Sequence, residues 1–88
     1  MLLGTVIGTV VSTRKEDALV GFKLLVVRVE EGQVGPTGKE LVACDTLGAG
    51  VGERVLVATG GAARVSLLAP APTDATIVGI IDTVDIME

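Results

Sequence analysis

Leu2, Gly4, Val6, Gly8 and Val10 alternate with Leu3, Thr5, Ile7, Thr9 and Val11. A period of two belongs to the β-strand, in which successive side chains point to opposite faces. The pattern predicts a first strand over 2–13, with Leu2 through Val10 on one face and a half-polar, threonine-bearing face opposite. Gly4 and Gly8 predict a bend or bulge, as at the corner of a small barrel. A second strand is predicted over 22–30, with Leu24 and Val26 on one face and Leu25, Val27 and Val29 on the other. A third follows over 40–46, a fourth over 53–59 and a last over 75–86. In the last, Ile77 and Ile81 oppose Val78, Ile80, Val84 and Ile86.

Several of these strands are apolar on both faces, and a strand of that kind is covered on both faces. One cover is the protein's own core. The second implies a neighbouring subunit, because large exposed apolar patches mark interaction surfaces. The connections carry turn chemistry. Arg14-Lys15-Glu16-Asp17 is a charged, solvated loop, and Gly32, Gly35, Pro36 and Gly38 make the next connection a turn region. Leu47-Gly48-Ala49-Gly50-Val51-Gly52 joins the third strand to the fourth. After Gly60-Gly61, residues 62–68 have the composition of a short helical turn, which Pro70 and Pro72 stop. No segment reads as a helix of ordinary length and no internal repeat is present. The expectation is a single all-β domain over 1–88, a small barrel or sandwich with one short helical turn.

Composition sharpens this picture. Val, Ile and Thr together supply 29 of the 88 residues, and these β-branched types favour strands. Apolar residues make up 49% of the chain. At this size a monomer buries only roughly 60% of its extended-chain surface. So much apolar side chain exceeds what one small core holds, which again implies assembly.

The same composition excludes chemistry. With no His, Trp or Tyr, one Phe and one Cys, the chain lacks histidine acid–base catalysis and the usual structural zinc ligands. No cofactor or metal is implied. Cys44 has no intrachain disulfide partner and reads as a small buried hydrophobe. The net charge of −4 and near absence of aromatics argue against nucleic-acid binding. No apolar run reaches the ~18 residues of a membrane span, and no basic-flanked leader opens the sequence. The expectation is a soluble, cytoplasmic protein.

The loop from Gly48 to Gly52 tempts comparison with a dinucleotide fingerprint. Its spacing is G-x-G-x-G rather than G-x-G-x-x-G, and a strand follows where a helix is needed. It reads either as a tight turn using positive φ or as a place where small residues let several backbones converge at a symmetry axis. Asp45, Asp74, Asp82 and Asp85 read as ordinary acidic residues rather than a paired-carboxylate site. Arg64, after a run of small residues, reads as a surface arginine or as a bridge to a carboxylate on a neighbouring subunit.

Four segments together carry a family resemblance: Gly8-Thr9-Val10-Val11-Ser12-Thr13-Arg14-Lys15-Glu16-Asp17, Asp45-Thr46-Leu47-Gly48-Ala49-Gly50, Gly61-Ala62-Ala63-Arg64, and Pro72-Thr73-Asp74-Ala75 running into Ile80-Ile81-Asp82-Thr83-Val84-Asp85. In order and spacing the chain resembles the pentameric vertex proteins of bacterial microcompartment shells. This group includes carboxysome and ethanolamine-utilisation members. The resemblance implies a five-stranded OB-like barrel and a homopentamer that caps the vertices of a shell otherwise built from hexameric tile proteins. It implies a structural protein and not an enzyme. It also implies that Gly48, Ala49 and Gly50 lie near the five-fold axis, and that Ala62, Ala63 and Arg64 lie at a subunit contact. The alternative class is a free oligomeric OB-like module that binds a small ligand or a protein partner.

Overall fold

Pleating sorts the side chains of each strand into an inner and an outer set, and a computed structural model shows how they close. It describes residues 1–11, 22–32, 39–61, 63, 73–82, 84 and 86. Strands β1 (Leu2–Val10), β2 (Lys23–Val29), β3 (Glu40–Asp45), β4 (Arg54–Thr59) and β5 (Ala75–Ile81) form one closed barrel in the order β1-β2-β3-β5-β4. Every pairing is antiparallel except β3 with β5, which is parallel and runs through the single register pair Cys44–Thr76. Closure reduces the free sheet edge that a five-stranded open sheet would expose to the part of β3 and β5 beyond that one pair. The expected all-β, OB-like barrel is the observed fold. Of the short helical turn expected over 62–68, only Ala63 lies among the described residues. There the Ala63 N–H donates to the Gly60 carbonyl at 3.2 Å.

The interior is filled mainly by Val6, Val27, Val29, Val55 and Val57 with Leu2, Leu25, Leu41, Ala43, Ala75 and Ile77. β-branched and small side chains suit so narrow a barrel, whose interior has room only for packed side chains. On β2 the two faces separate as the alternation requires. Leu25, Val27 and Val29 are buried inside, while Leu24 and Val26 are half-buried on the outside. Cys44 is buried and reduced, in the small-hydrophobe role read from the sequence.

Two bulges shape the barrel. Val6 pairs with Val27 but Gly8 pairs with Val26, so Ile7 is the extra residue on β1. Leu56 pairs with Gly79 and Val57 with Ile77, so Val78 is the extra residue on β5. A bulge inserts one unpaired residue and bends its strand. It also reverses the facing of the residues beyond it. Leu2, Gly4 and Val6 point inward, but Gly8 and Val10 fall opposite Val26 and Leu24 on the outer side. The single face expected for Leu2 through Val10 is therefore split at Ile7.

Strand ends differ from expectation for local reasons. β5 stops at Ile81 rather than at 86, because Ile81 pairs with Arg54, the first residue of β4. Glu53 before it is engaged in a turn, so the ladder has no further partner. β3 stops at Asp45 rather than 46, because the Asp45 side chain turns the chain there. β1 ends at Val10, β2 spans Lys23–Val29 and β4 starts at Arg54, each within a few residues of the reading from alternation. The predicted charged loop at 14–17 lies outside the described residues.

Candidate assembly interface

The 46–50 loop is built by the residue before it. Asp45 is buried, and each of its carboxylate oxygens accepts a backbone N–H. Oδ1 accepts from Leu47 at 2.9 Å and Oδ2 from Ala49 at 2.8 Å. An aspartate bonded to the backbone two residues on replaces a backbone turn. Gly48, between the two donors, has φ of +87°, a region that favours glycine because it has no Cβ. From β2, Lys23 Nζ donates to the Ala49 carbonyl at 3.4 Å, directly across the register from Asp45.

The loop continues into a second closed turn. The Glu53 N–H donates to the Gly50 carbonyl at 3.1 Å, and the Glu53 carboxylate accepts the Gly50 N–H at 2.7 Å. Gly52 has φ of +93°. The turn is fastened to β1 beside the bulge. The Gly52 N–H donates to the Val6 carbonyl at 2.8 Å and the Val6 N–H to the Glu53 carbonyl at 3.0 Å. This is a tight, doubly fastened connection, as the glycine pattern suggested.

Its side chains are distributed in a way the sequence did not show. The Ala49 methyl is fully buried in the core of its own chain. Leu47 and Val51, on either side, are 51% and 65% exposed. Of the three small residues expected at an axis, Gly48 is exposed and Gly50 half-buried, while Ala49 serves the barrel interior. The apolar side chains that this connection leaves in solvent are those of Leu47 and Val51.

Of the three residues expected at a subunit contact, Ala62 and Arg64 lie outside the described residues. Ala63 is fully buried, and its carbonyl accepts the Thr76 hydroxyl at 2.8 Å. Just before it, the Gly60 N–H donates to the Asp74 carbonyl at 2.8 Å. Thr76 is itself buried. Gly60 and Ala63 are thus tied to the start of β5.

The outer barrel face carries apolar residues that the chain leaves partly in water. Val26 and Val42 are register partners on β2 and β3, the first half-buried and the second 48% exposed. Leu3 and Leu56 are partners on β1 and β4, both half-buried. A charged band crosses the same face. Arg54 Nε donates to Glu30 Oε1 at 2.8 Å, and Arg54 Nη2 donates to the same oxygen. Arg28 and Glu40, register partners, stand 3.7 Å apart and well exposed. Such exposed pairs contribute about 0–1 kcal/mol each.

Among the described residues, no group of three or more His, Cys, Asp and Glu is placed to hold a metal ion. Asp74 and Asp82 are exposed, and Asp85 lies outside the described residues. What the barrel presents is surface: apolar pairs, a charged band and a rigid glycine loop. Sequence reading missed Val42 as an exposed apolar position, and it missed Asp45 and Thr76 as anchors. The Asp45-Thr46-Leu47 spacing held the signal for the Asp45 turn. Nothing local marked Thr76, since its partner is 13 residues away.

Known proteins share this fold and about half of this sequence. Residues 1–82 match the family described as ethanolamine utilisation protein EutN/carboxysome. The bacterial microcompartment shell vertex protein GrpN of Rhodospirillum rubrum is 50% identical over 97% of this chain and 97% of its own. The carboxysome shell vertex protein CcmL of a Synechocystis species is 48% identical, over 98% of this chain and 87% of its own. Among solved structures, the GrpN pentameric microcompartment shell protein from Rhodospirillum rubrum superposes with a TM-score of 0.81 at 48% identity, covering all of both chains. With sequence and barrel matched nearly end to end, the chain belongs to the EutN/carboxysome family of microcompartment shell vertex proteins.

Proposed function

We propose that five copies of this chain close into a ring that occupies a vertex of a microcompartment shell, with hexameric shell proteins around it. The observation that carries the reading is the end-to-end likeness of the barrel to a pentameric shell protein at 48% identity. The physics of the chain supports it independently. Val26 with Val42, and Leu3 with Leu56, form outward apolar pairs on a barrel whose own core is already full. A ring buries such pairs through a contact that joins one surface to a different surface of the next copy, and it is closed by rotation.

In this reading the loop of Gly48, Ala49 and Gly50 stands near the five-fold axis, and the segment of Ala62, Ala63 and Arg64 stands at the contact between neighbours. The role is structural rather than catalytic. The described residues supply exposed apolar and ion-paired surface, and the OB-like barrel serves as scaffold rather than as reader of a nucleic acid.

The test is co-expression with the hexameric shell proteins of the same microcompartment. Closed polyhedral particles are expected only when this chain is present, with the chain recovered in them at vertex stoichiometry. Closed particles of unchanged size and yield in its absence would refute the reading.

A further inference from the structure

We propose that Asp45 and Thr76 are the positioning residues of the proposed ring contact: a pair of buried polar anchors that hold the 46–50 loop and the Ala63 backbone in place. Among the described residues they are the two buried side chains that are not apolar. A buried polar group is costly unless its hydrogen bonds are made, and a buried carboxylate is costlier still. Each anchor meets that condition in the same way. Its polar atoms go to backbone of a connection rather than to the barrel ladder. Asp45 takes the Leu47 and Ala49 N–H groups, and Thr76 gives its hydroxyl to the Ala63 carbonyl.

The two anchors are also neighbours in the fold. Thr76 is the register partner of Cys44, and this is the pair through which β3 and β5 join. Asp45 is the next residue along β3. One short parallel contact thus sets both connections at the same end of the barrel. Lys23 adds a third hold on that end, through the Ala49 carbonyl. The opposite end of β2 and β3, where Arg28 faces Glu40, has charged side chains in the open instead. Neither polar group is needed to fill space, because Thr76→Val keeps the shape of threonine and Asp45→Asn that of aspartate. What those replacements remove is one hydrogen bond each: valine has no hydroxyl to donate to Ala63, and asparagine has one acceptor oxygen where aspartate has two.

The link to a ring contact rests on the proposed placement of these two segments. The anchoring itself does not, so the experiment reads them separately. Residue-resolved amide hydrogen exchange is measured on Asp45→Asn and Thr76→Val beside the unaltered protein, together with the proportion of ring by sedimentation. Asp45→Asn keeps one acceptor oxygen and sets an NH2 group against the other N–H, so exchange should speed at least tenfold at one of Leu47 and Ala49. Thr76→Val should do the same at Ala63, whose N–H closes the turn on Gly60. The amides of Val29 and Glu30, bonded to Lys39 and Leu3 at the far end, should change less than threefold in both. Each replacement should leave the other's segment protected.

A uniform acceleration at all these amides would make the two residues ordinary stability contributors and overturn the proposal. Unchanged exchange at Leu47, Ala49 and Ala63 would overturn it too. Should either replacement prevent folding, the unaltered protein decides: Leu47 and Ala49 amides exchanging at the rate of an unfolded chain would contradict an Asp45 anchor. Selective loosening should come with a smaller proportion of ring; selective loosening with an unchanged ring would overturn the positioning role while leaving the proposed ring itself intact.

Discussion

Gly4 on β1 lies so close to Val27 on β2 that a Cβ added at Gly4 would stand 2.5 Å from Val27 Cγ1 and 2.8 Å from the Arg28 carbonyl oxygen. Real carbons do not approach so near. The glycine lets two strands of a narrow barrel meet with a valine between them. Gly4→Ala should therefore destabilise the fold by about 1–3 kcal/mol through overpacking, since backbone as well as side chain must shift. The midpoint of denaturant unfolding checks this. Gly8→Ala is the control, because a Cβ there meets nothing within 4 Å.

Gly48 and Gly50 should respond differently to alanine. Gly48→Ala places a Cβ on a backbone with φ of +87°, which costs roughly 1–2 kcal/mol for an L-residue. Gly50 has no positive φ, and its added Cβ would meet only the end of the Glu53 side chain at 3.3 Å. Gly50→Ala should cost less than Gly48→Ala, at about 0.5 kcal/mol, because the atom it meets is the far end of a flexible side chain. Thermal midpoints of the two variants, in that order of severity, check the loop geometry.

Val26 and Val27 separate folding from assembly. Val27 is fully buried in the barrel core, so Val27→Glu should abolish folding. Val26 points outward beside Val42, so Val26→Glu should leave the strand signal in circular dichroism and lose the ring in sedimentation. A Val26→Glu variant that still forms the ring would take this outer pair out of the contact.

Leu47 tests the loop against the axis. Ala49 is unsuitable for this purpose because its methyl belongs to the core. Leu47 is half exposed next to Gly48, so Leu47→Asp should leave the fold intact. Near a five-fold axis the substitution brings five carboxylates together. Ring content should fall at low salt and recover as the Debye length shortens from about 10 Å at 0.1 M to about 3 Å at 1 M. Ring content equal to that of the unaltered protein at every salt concentration would place the loop away from the axis.

Much of the barrel is legible in the sequence because alternation is a strong signal. The cores of all five strands follow from it, and so does the inner–outer division of β2. The division of β1 does not follow from alternation, because the Ile7 bulge shifts the phase by one residue; Gly8, read as a sign of a bend or bulge, adjoins it without fixing which residue is extra. The end of β5 is hidden for a related reason. Val84 and Ile86 continue the apolar pattern past Ile81, but a strand needs a ladder partner, and β4 begins at Arg54. At the candidate site, the glycines announced a tight loop and small residues suggested close approach. That Ala49 turns inward depends on Asp45 being buried, which is a property of the folded barrel. The Thr76–Ala63 bond spans two elements and has no local signature at all.

The central claim is a closed ring of five copies, and the native mass in solution tests it most directly. Sedimentation equilibrium or native mass spectrometry at micromolar concentration should give one species of five times the 8.9 kDa chain mass, without populated smaller rings. A stable folded monomer at that concentration, or a ring of any other number, would contradict the account.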